Sequence, residues 1–250
     1  MTKIILSGAC GKMGKVIQSV VAGRDDCEIV AGVDKYNDNE RPFPVYATMQ
    51  EVKESADVVI DFSNPSLLDG LLEYGIETNT ALVIATTGFD DCQKKKIQDA
   101  SKKCPVFFTY NMSIGINLLA SLAKKAVQVL GNDFDIEIVE AHHNQKIDAP
   151  SGTALMLADA ITEEIDRPMK YEYDRHSKRE KRTKNEIGMH SIRGGTIVGE
   201  HEIIFAGRDE NITLSHSARS KEIFAVGAVN AAVFMSGKPA GMYDMSELVK

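Results

Sequence analysis

Short apolar runs alternate with stretches of helical periodicity from Met1 to about Tyr110, and no other feature of the chain constrains its fold as strongly. The runs are KIILSGA, CEIVAGVD, DVVIDFS, ALVIATTG and PVFFTY; the helical stretches among them are GKMGKVIQSVVAG, SLLDGLLEYGIE and DCQKKKIQDASKK. Strand-like runs separated by roughly 10–15 residues of helical pattern predict βαβ units and a parallel sheet. Their near-continuous apolar character predicts helices on both faces of that sheet. The texture changes from about Ile116. A long amphipathic helix, INLLASLAKKAVQVLG, leads to the strand FDIEIVEAHH and a second helix, GTALMLADAITEEI. A basic stretch from Arg175 to Lys184 follows, and then MHSIRGG, VGEHEIIFAG and NITLSHSA read as strands separated by glycine turns. Strands without intervening helices predict a second domain of α+β type with an open mixed sheet. The fold class is therefore α/β, a Rossmann-type parallel sheet domain plus an α+β domain. The last helical segment, SKEIFAVGAVNAAVFMSG, fits either domain.

Composition excludes several classes of function. The net charge of −7 and the pI near 5.4 argue against a general nucleic-acid binder. No apolar run approaches the roughly 20 residues that span a bilayer. The N-terminal MTKIILSGACG runs into glycines after a short apolar stretch, without the longer core and cleavage site of a signal peptide, so a cytoplasmic protein is expected. The four cysteines, Cys10, Cys27, Cys92 and Cys104, have neither CxxC nor metal-ligand spacing. They are expected to be reduced and mostly buried.

The strongest local signal follows the first strand: Gly8-Ala9-Cys10-Gly11-Lys12-Met13-Gly14, then a helical pattern. Glycines there let the backbone turn sharply and approach a pyrophosphate held at the helix N-terminus. Ala9 stands where GxGxxG would have its first glycine, so the loop is a GxxGxxG variant. Asp34 comes about twenty residues after Gly14 at the end of the second strand, the position of an acid that accepts hydrogen bonds from the adenine ribose. A cation at Lys35 would meet the 2′-phosphate of NADP or simply remain in solvent, and spacing leaves both readings open. Two further loops, Asp61-Phe62-Ser63-Asn64-Pro65 and Ala85-Thr86-Thr87-Gly88-Phe89, end predicted parallel strands, where open α/β sheets bind ligands.

A third cluster runs from Glu140-Ala141-His142-His143 through Lys146 and Asp148 to Pro150-Ser151-Gly152-Thr153. Adjacent histidines at a strand end point to opposite sides and make a poor chelating pair, and no companion ligands are in place, so no metal is expected. A histidine close to a lysine suits acid chemistry on an anionic substrate. Ser151-Gly152-Thr153 opens an apolar helix, where backbone N–H groups hold a carboxylate and Ser151 serves as N-cap. The G-x-S-x-G elbow of a serine nucleophile is absent.

GACGKMG, DVVIDFSNP, TTGF, NMSIGIN, EAHHNQKIDAPSGTA and SIRGGTIVGEHEIIFAG occur in this order from residue 8 to about 207. In these motifs the chain resembles the 4-hydroxy-tetrahydrodipicolinate reductase (dihydrodipicolinate reductase) family. The resemblance implies a dinucleotide-binding domain of residues 1–113 plus 219–250, and a substrate-binding and oligomerisation domain of residues 114–218. It implies a homotetramer with no nucleic-acid or membrane partner. Gly8, Gly11, Lys12, Met13 and Gly14 would lie at the cofactor phosphates and Asp34 and Lys35 at the adenosine ribose. Phe62, Thr86, Thr87, Gly88, Tyr110, Asn111 and Met112 would border the nicotinamide. His142 would be the proton donor and Lys146 its partner, with His143, Ser151, Gly152 and Thr153 holding substrate carboxylates.

Three positions differ from the family's common pattern: Ala85 for a glycine before TTG, Met112 for a phenylalanine, and Lys35 for an arginine. A point charge at position 35 in place of an arginine fork, beside Asp34, implies use of either NADH or NADPH. The implied reaction is NAD(P)H-dependent reduction of 4-hydroxy-tetrahydrodipicolinate, a small cyclic dicarboxylate, to tetrahydrodipicolinate in the diaminopimelate route to lysine. Two rival readings are another nicotinamide-dependent dehydrogenase and an NAD(H)-binding redox sensor. A sensor needs the glycine loop but no His and Lys beside an anion-binding turn.

Overall fold

The computed structural model describes residues 1–37 and 41–249. In chain order they form β1 (Thr2–Ser7), α1 (Lys12–Ala22), β2 (Cys27–Val33), β3 (Val45–Tyr46), β4 (Val58–Asp61), α2 (Leu68–Thr78), β5 (Ala81–Ile84), α3 (Asp91–Ala100) and β6 (Pro105–Phe108). Then come α4 (Ile114–Leu130), β7 (Asp135–His142), α5 (Gly152–Thr162), β8 (Lys170–Glu172), β9 (Glu186–Arg193), β10 (Gly199–Ala206), β11 (Asn211–Ala218), α6 (Glu222–Met235) and β12 (Gly241–Tyr243). The chain divides into two units, Met1–Ile114 with Glu222–Lys250, and Gly115–Lys221.

The first unit holds a seven-stranded sheet of order β12-β6-β5-β4-β1-β2-β3, parallel throughout. Alternation of side chains splits its core in two. Ile4 and Leu6 of β1, Val58 and Ile60 of β4 and Val83 of β5 pack with Ile17 and Val21 of α1 and with Ala228, Val229 and Ala232 of α6. Ile5, Val59, Leu82, Ile84 and Val106 face the other way, onto Leu71 and Leu72 of α2 and Ile97 of α3. Every residue of β4 and β5 is buried, as a parallel sheet covered on both faces requires. The strand order reverses at β1, which pairs with β2 on one side and β4 on the other, so the crevice for a ligand opens beyond Ser7 and Asp61.

The second unit is a five-stranded mixed sheet of order β11-β10-β7-β9-β8. One face is apolar: Ile136, Ile138, Ile187, Met189, Ile203 and Phe205 meet Ile116, Leu119, Ala123 and Val127 of α4 and Leu157 and Ile161 of α5. The basic stretch from Arg175 to Lys184 lies against acids of this sheet. Arg175 reaches Glu186 at 3.0 Å, Lys184 reaches Asp135 at 3.0 Å, and Lys178 pairs with Glu172. Those cations are met by neighbouring carboxylates within the unit.

Local chemistry accounts for several helix ends. Asp90 and Gln93 make a reciprocal capping box at α3, and Asn79 closes α2 at φ +52°, a left-handed conformation that asparagine tolerates better than most residues. Cys27 and Cys104 are buried, Cys10 is half-buried and Cys92 is exposed, and none of the four forms a disulfide. Among the described residues no helix is long and apolar enough to cross a membrane.

Helix α6 approaches the 110–113 turn so closely that a Cβ on Gly227 would lie 1.7 Å from the Met112 carbonyl oxygen. Gly to Ala in a free helix stabilises by about 1 kcal/mol, whereas overpacking costs about 1–3 kcal/mol. The contact here is with backbone, which cannot swing aside. Gly227→Ala is therefore expected to lower the unfolding free energy by about 1–3 kcal/mol in denaturant titrations; a gain in stability would show that the turn yields.

Candidate active site

Two groups of residues gather at strand ends, one in each unit. In the first, Gly8 turns the chain out of β1 at φ +81°, and a Cβ there would lie 2.4 Å from the Phe62 carbonyl oxygen. A Cβ on Gly14 would lie 2.3 Å from the Gly8 carbonyl oxygen, so helix and loop interlock only through glycine. Gly11 is the N-cap of α1 and has no side chain to bond the first turn; its own N–H donates to the Gly8 carbonyl at 3.1 Å. Lys12 is exposed beside it, and Met13 packs partly against the core. The Asp34 carboxylate accepts from the Cys10 N–H at 2.9 Å and the Tyr36 N–H at 3.1 Å, which holds it over the glycine loop. A cleft of about 380 Å³ is lined by Gly8, Gly11, Asp34, Lys35, Phe62 and Ser63 among others.

Asp61, at the end of β4, is buried and ties the adjoining loops together. It accepts from the Ser63 hydroxyl at 2.5 Å and the Thr86 hydroxyl at 2.7 Å, and the Thr86 oxygen in turn accepts from the Ser63 N–H at 2.9 Å. Burial raises the Asp61 pKa, and the hydroxyl donors oppose that rise. Thr86 thus lies behind the loop surface, whereas Thr87 and Gly88 are exposed, Gly88 at φ +87°. Tyr110 is exposed, Asn111 accepts from the Ser113 N–H at 2.8 Å, and Met112 is buried in the core beside α6. An acid ending the otherwise apolar run VVID was the sequence signal for Asp61 as a tether.

In the second unit, β7 alternates Ile136, Ile138, Glu140, His142 on its packed face, so an acid occupies a position where the period calls for an apolar residue. Glu140 is 1% exposed. Its Oε2 lies 2.6 Å from His142 Nδ1, and its Oε1 accepts from the Ser151 N–H at 3.1 Å. Arg193, opposite His142 in the register of β9, grips both oxygens at 2.8 and 2.7 Å and donates to the Asp148 carbonyl at 2.6 Å. Burial by itself would raise the Glu140 pKa, but the hydrogen bonds from Arg193 and His142 outweigh it and hold the carboxyl at about 2.

Ser151 caps α5, accepting from the Ala154 N–H at 3.1 Å, and its hydroxyl lies 3.0 Å from His201 Nε2. Gly152 begins the helix, and a Cβ added there would meet nothing within 4 Å. Lys146 pairs with Asp148 at 2.8 Å, and His143 stands just beyond the strand. The structure therefore brings His142, Ser151 and the start of α5 around one carboxylate. Glu140 was legible as an acid in the wrong place of an apolar alternation. Arg193 and His201 carried no such signal, because strand register alone brings them to this end of the sheet. Among the described residues no His, Cys, Asp and Glu side chains group as a metal ion needs.

The chain's two parts match two family models, dihydrodipicolinate reductase N-terminus over residues 2–112 and C-terminus over residues 115–249. The chain belongs to the dihydrodipicolinate reductase family. Relatives named 4-hydroxy-tetrahydrodipicolinate reductase include one from Caldanaerobacter subterraneus, 52% identical over 100% of this chain and 99% of its own length. Another from Clostridium novyi is 49% identical over the same shares. A solved structure, dipicolinate-bound dihydrodipicolinate reductase from Paenisporosarcina sp., superposes with a TM-score of 0.81 at 26% identity, covering 100% of both chains. A myo-inositol dehydrogenase from Corynebacterium glutamicum shares the fold alone, with a TM-score of 0.57 at 14% identity over 94% of this chain and 87% of its own. Membership of the dihydrodipicolinate reductase family over the whole chain disfavours a redox sensor or a dehydrogenase of another kind.

Burial, and next the neighbouring His142, push the His201 pKa down to about 4, so this family member keeps the ring neutral at physiological pH. Between that value and the ordinary 6.5 the unfolded chain binds the extra proton, so this stability is full above pH 6.5 and is lost as pH falls toward 4. Wild-type protein should therefore lose about 2 kcal/mol more than His201→Gln between pH 7.5 and pH 5 in denaturant unfolding. Parallel losses in the two proteins would show that His201 does not titrate in the folded state as its burial demands.

Proposed function

We propose that the chain reduces 4-hydroxy-tetrahydrodipicolinate to tetrahydrodipicolinate, with NADH or NADPH, as a step of diaminopimelate and lysine biosynthesis. The observation that carries this reading is in the second unit, where His142 and the Ser151 N–H at the entrance of α5 share the Glu140 carboxylate. A proton donor is thereby held beside an anion-binding helix start, as a dicarboxylate substrate needs. The relatives' names supply the substrate, and the dipicolinate of the Paenisporosarcina complex is a planar dicarboxylate of the same class.

The residues of the first unit fit a nicotinamide dinucleotide. Gly8 and Gly14 stand where a Cβ would strike backbone, the first turn of α1 has no side-chain cap, and Asp34 is fixed above the loop. Gly8, Gly11, Lys12, Met13 and Gly14 would hold the phosphates and Asp34 and Lys35 the adenosine ribose. Phe62, Thr86, Thr87, Gly88, Tyr110, Asn111 and Met112 belong to the nicotinamide side in this reading. When bound, the nucleotide supplies the hydride. His142 Nε2 delivers the proton to the ring carbon that carries the electron pair once the C=C–C=N system has been reduced. The overall change adds two hydrogens and releases the hydroxyl as water. Lys146 exchanges its contact with Asp148 for one substrate carboxylate, and Ser151, Gly152 and Thr153 at the start of α5, with the backbone N–H groups of Gly152 and Thr153 as donors, hold the carboxylates together with His143. The enzyme works as a homotetramer in the cytoplasm, where its four thiols stay reduced.

The test is nucleotide oxidation by the purified protein with 4-hydroxy-tetrahydrodipicolinate against a panel of other imine and carbonyl substrates. Turnover of a panel compound in preference would overturn the assignment. His142→Gln should lower kcat about 10²–10⁴-fold with little change in nucleotide affinity. Lys146→Ala should raise KM and weaken inhibition by pyridine-2,6-dicarboxylate by about 1.5–3 kcal/mol. Lys35→Ala should weaken NADPH more than NADH, since only NADPH carries the 2′-phosphate; equal weakening would show that Lys35 does not read it.

A further inference from the structure

The sequence motif SIRGG has no part in the roles assigned above, yet its arginine binds a buried carboxylate and a loop carbonyl in the second unit. Arg193 donates to both oxygens of Glu140 and to the Asp148 carbonyl. The two carboxylate oxygens have different further partners, His142 Nδ1 on Oε2 and the Ser151 N–H on Oε1. We propose that Glu140, clamped by Arg193, is the positioning residue that sets both the protonated nitrogen of His142 and the place of the carboxylate-binding turn at Ser151. The inference rests on the reading of His142 as the proton donor.

The argument is one of donors and acceptors. An ionised carboxylate only accepts hydrogen bonds, so an imidazole nitrogen 2.6 Å from Glu140 Oε2 must carry a hydrogen. Nδ1 is therefore protonated in every state of the ring, and the proton that comes and goes is the one on Nε2. Nε2 lies over Gly199, where an added Cβ would stand 3.2 Å away, so the strand leaves it room. The burial of Glu140 makes the arrangement stiff. With 1% exposure it has no water to turn toward, and the arginine fork fixes the carboxylate plane. The remaining lone pair on Oε1 takes the Ser151 N–H, so the proton donor and the start of α5 are referenced to the same rigid group. Their separation is then set by one carboxylate rather than by the residues 143–150 that connect them.

Glu140→Gln tests this with little change of shape. Whichever way the amide turns, its NH₂ faces an Arg193 N–H and either His142 Nδ1 or the Ser151 N–H, so at least one of the two alignments fails. In the full-length protein kcat should fall at least 100-fold, in the range seen when the orienting carboxylate of a catalytic histidine is replaced. NADH affinity should stay within twofold. In ¹⁵N-histidine spectra, neutral His142 should carry its hydrogen on Nδ1 in the wild type. In the variant it should shift toward Nε2 if the amide NH₂ faces the ring, and direct binding of pyridine-2,6-dicarboxylate should weaken about tenfold if the NH₂ faces Ser151 instead. A merely structural carboxylate would not move that signature. A kcat within threefold of wild type, or a wild-type His142 with its hydrogen on Nε2, would overturn the proposal. If Glu140→Gln does not fold, Arg193→Lys keeps the charge and removes the fork. Its kcat should drop at least fivefold at constant NADH affinity, and wild-type turnover would overturn the proposal. Failure of the wild-type protein to reduce 4-hydroxy-tetrahydrodipicolinate would instead count against the assigned function. The tautomer and the dicarboxylate affinity would still decide the role of Glu140.

Discussion

A parallel sheet buried on both faces confines its polar chemistry to the ends of its strands. β4 and β5 are buried along their whole length, and helices cover the two sides through separate apolar clusters. What remains for binding is the row of loops after β1, β2, β4 and β5. The chain places there the residues that apolar packing would reject: the glycines at 8, 11 and 14, Asp34, and the hydroxyls around Asp61. The glycine loop is shaped by this packing. Backbone of β1, α1 and the 62–63 turn crowds together until only hydrogen fits at positions 8 and 14, and a charged ligand can then be held by backbone rather than by flexible side chains.

The second unit uses charge where the first uses backbone. A carboxylate taken out of water is costly unless its oxygens are fully bonded. Glu140 meets that condition through an arginine fork, an imidazole and a backbone N–H. The cost of leaving any of these unpaired keeps the group in a single geometry. Its neighbour His201, on the adjacent strand and edge-on to His142 with ring centroids 5.2 Å apart, is kept neutral by burial. One histidine of the pair therefore has a carboxylate partner, and the other contributes packing and a hydrogen bond to Ser151.

The basic stretch between β8 and β9 is paired within its own unit. In the fold Arg175, Lys178 and Lys184 each meet a carboxylate of the same unit, on β7, β8 or β9. Such pairs near a surface contribute little each, about 0–1 kcal/mol, yet together they neutralise the acids along those strands.

Sequence alone determined the parts whose physics is local. Short apolar runs and period-3.6 apolar patterns marked the long strands and helices, glycine spacing marked the loop after β1, and Ser151 before an apolar run marked a helix start that the structure caps as expected. Asp34 was legible because its distance from the loop is set by a single βαβ unit. The short strands β3, β8 and β12 were not, since two or three residues carry no period and all three are edge strands defined by the neighbour they pair with. The affiliation of α6 was equally open, because an Ala-rich helix with little amphipathic contrast suits either unit until Gly227 meets the Met112 carbonyl. Arg193 lies some fifty residues beyond Glu140 in the chain and reaches it only through the parallel register of β7 and β9. That contact, and the burial that gives it force, exist only once the sheet has formed, because strand register and low local dielectric are properties of the packed structure and not of any segment.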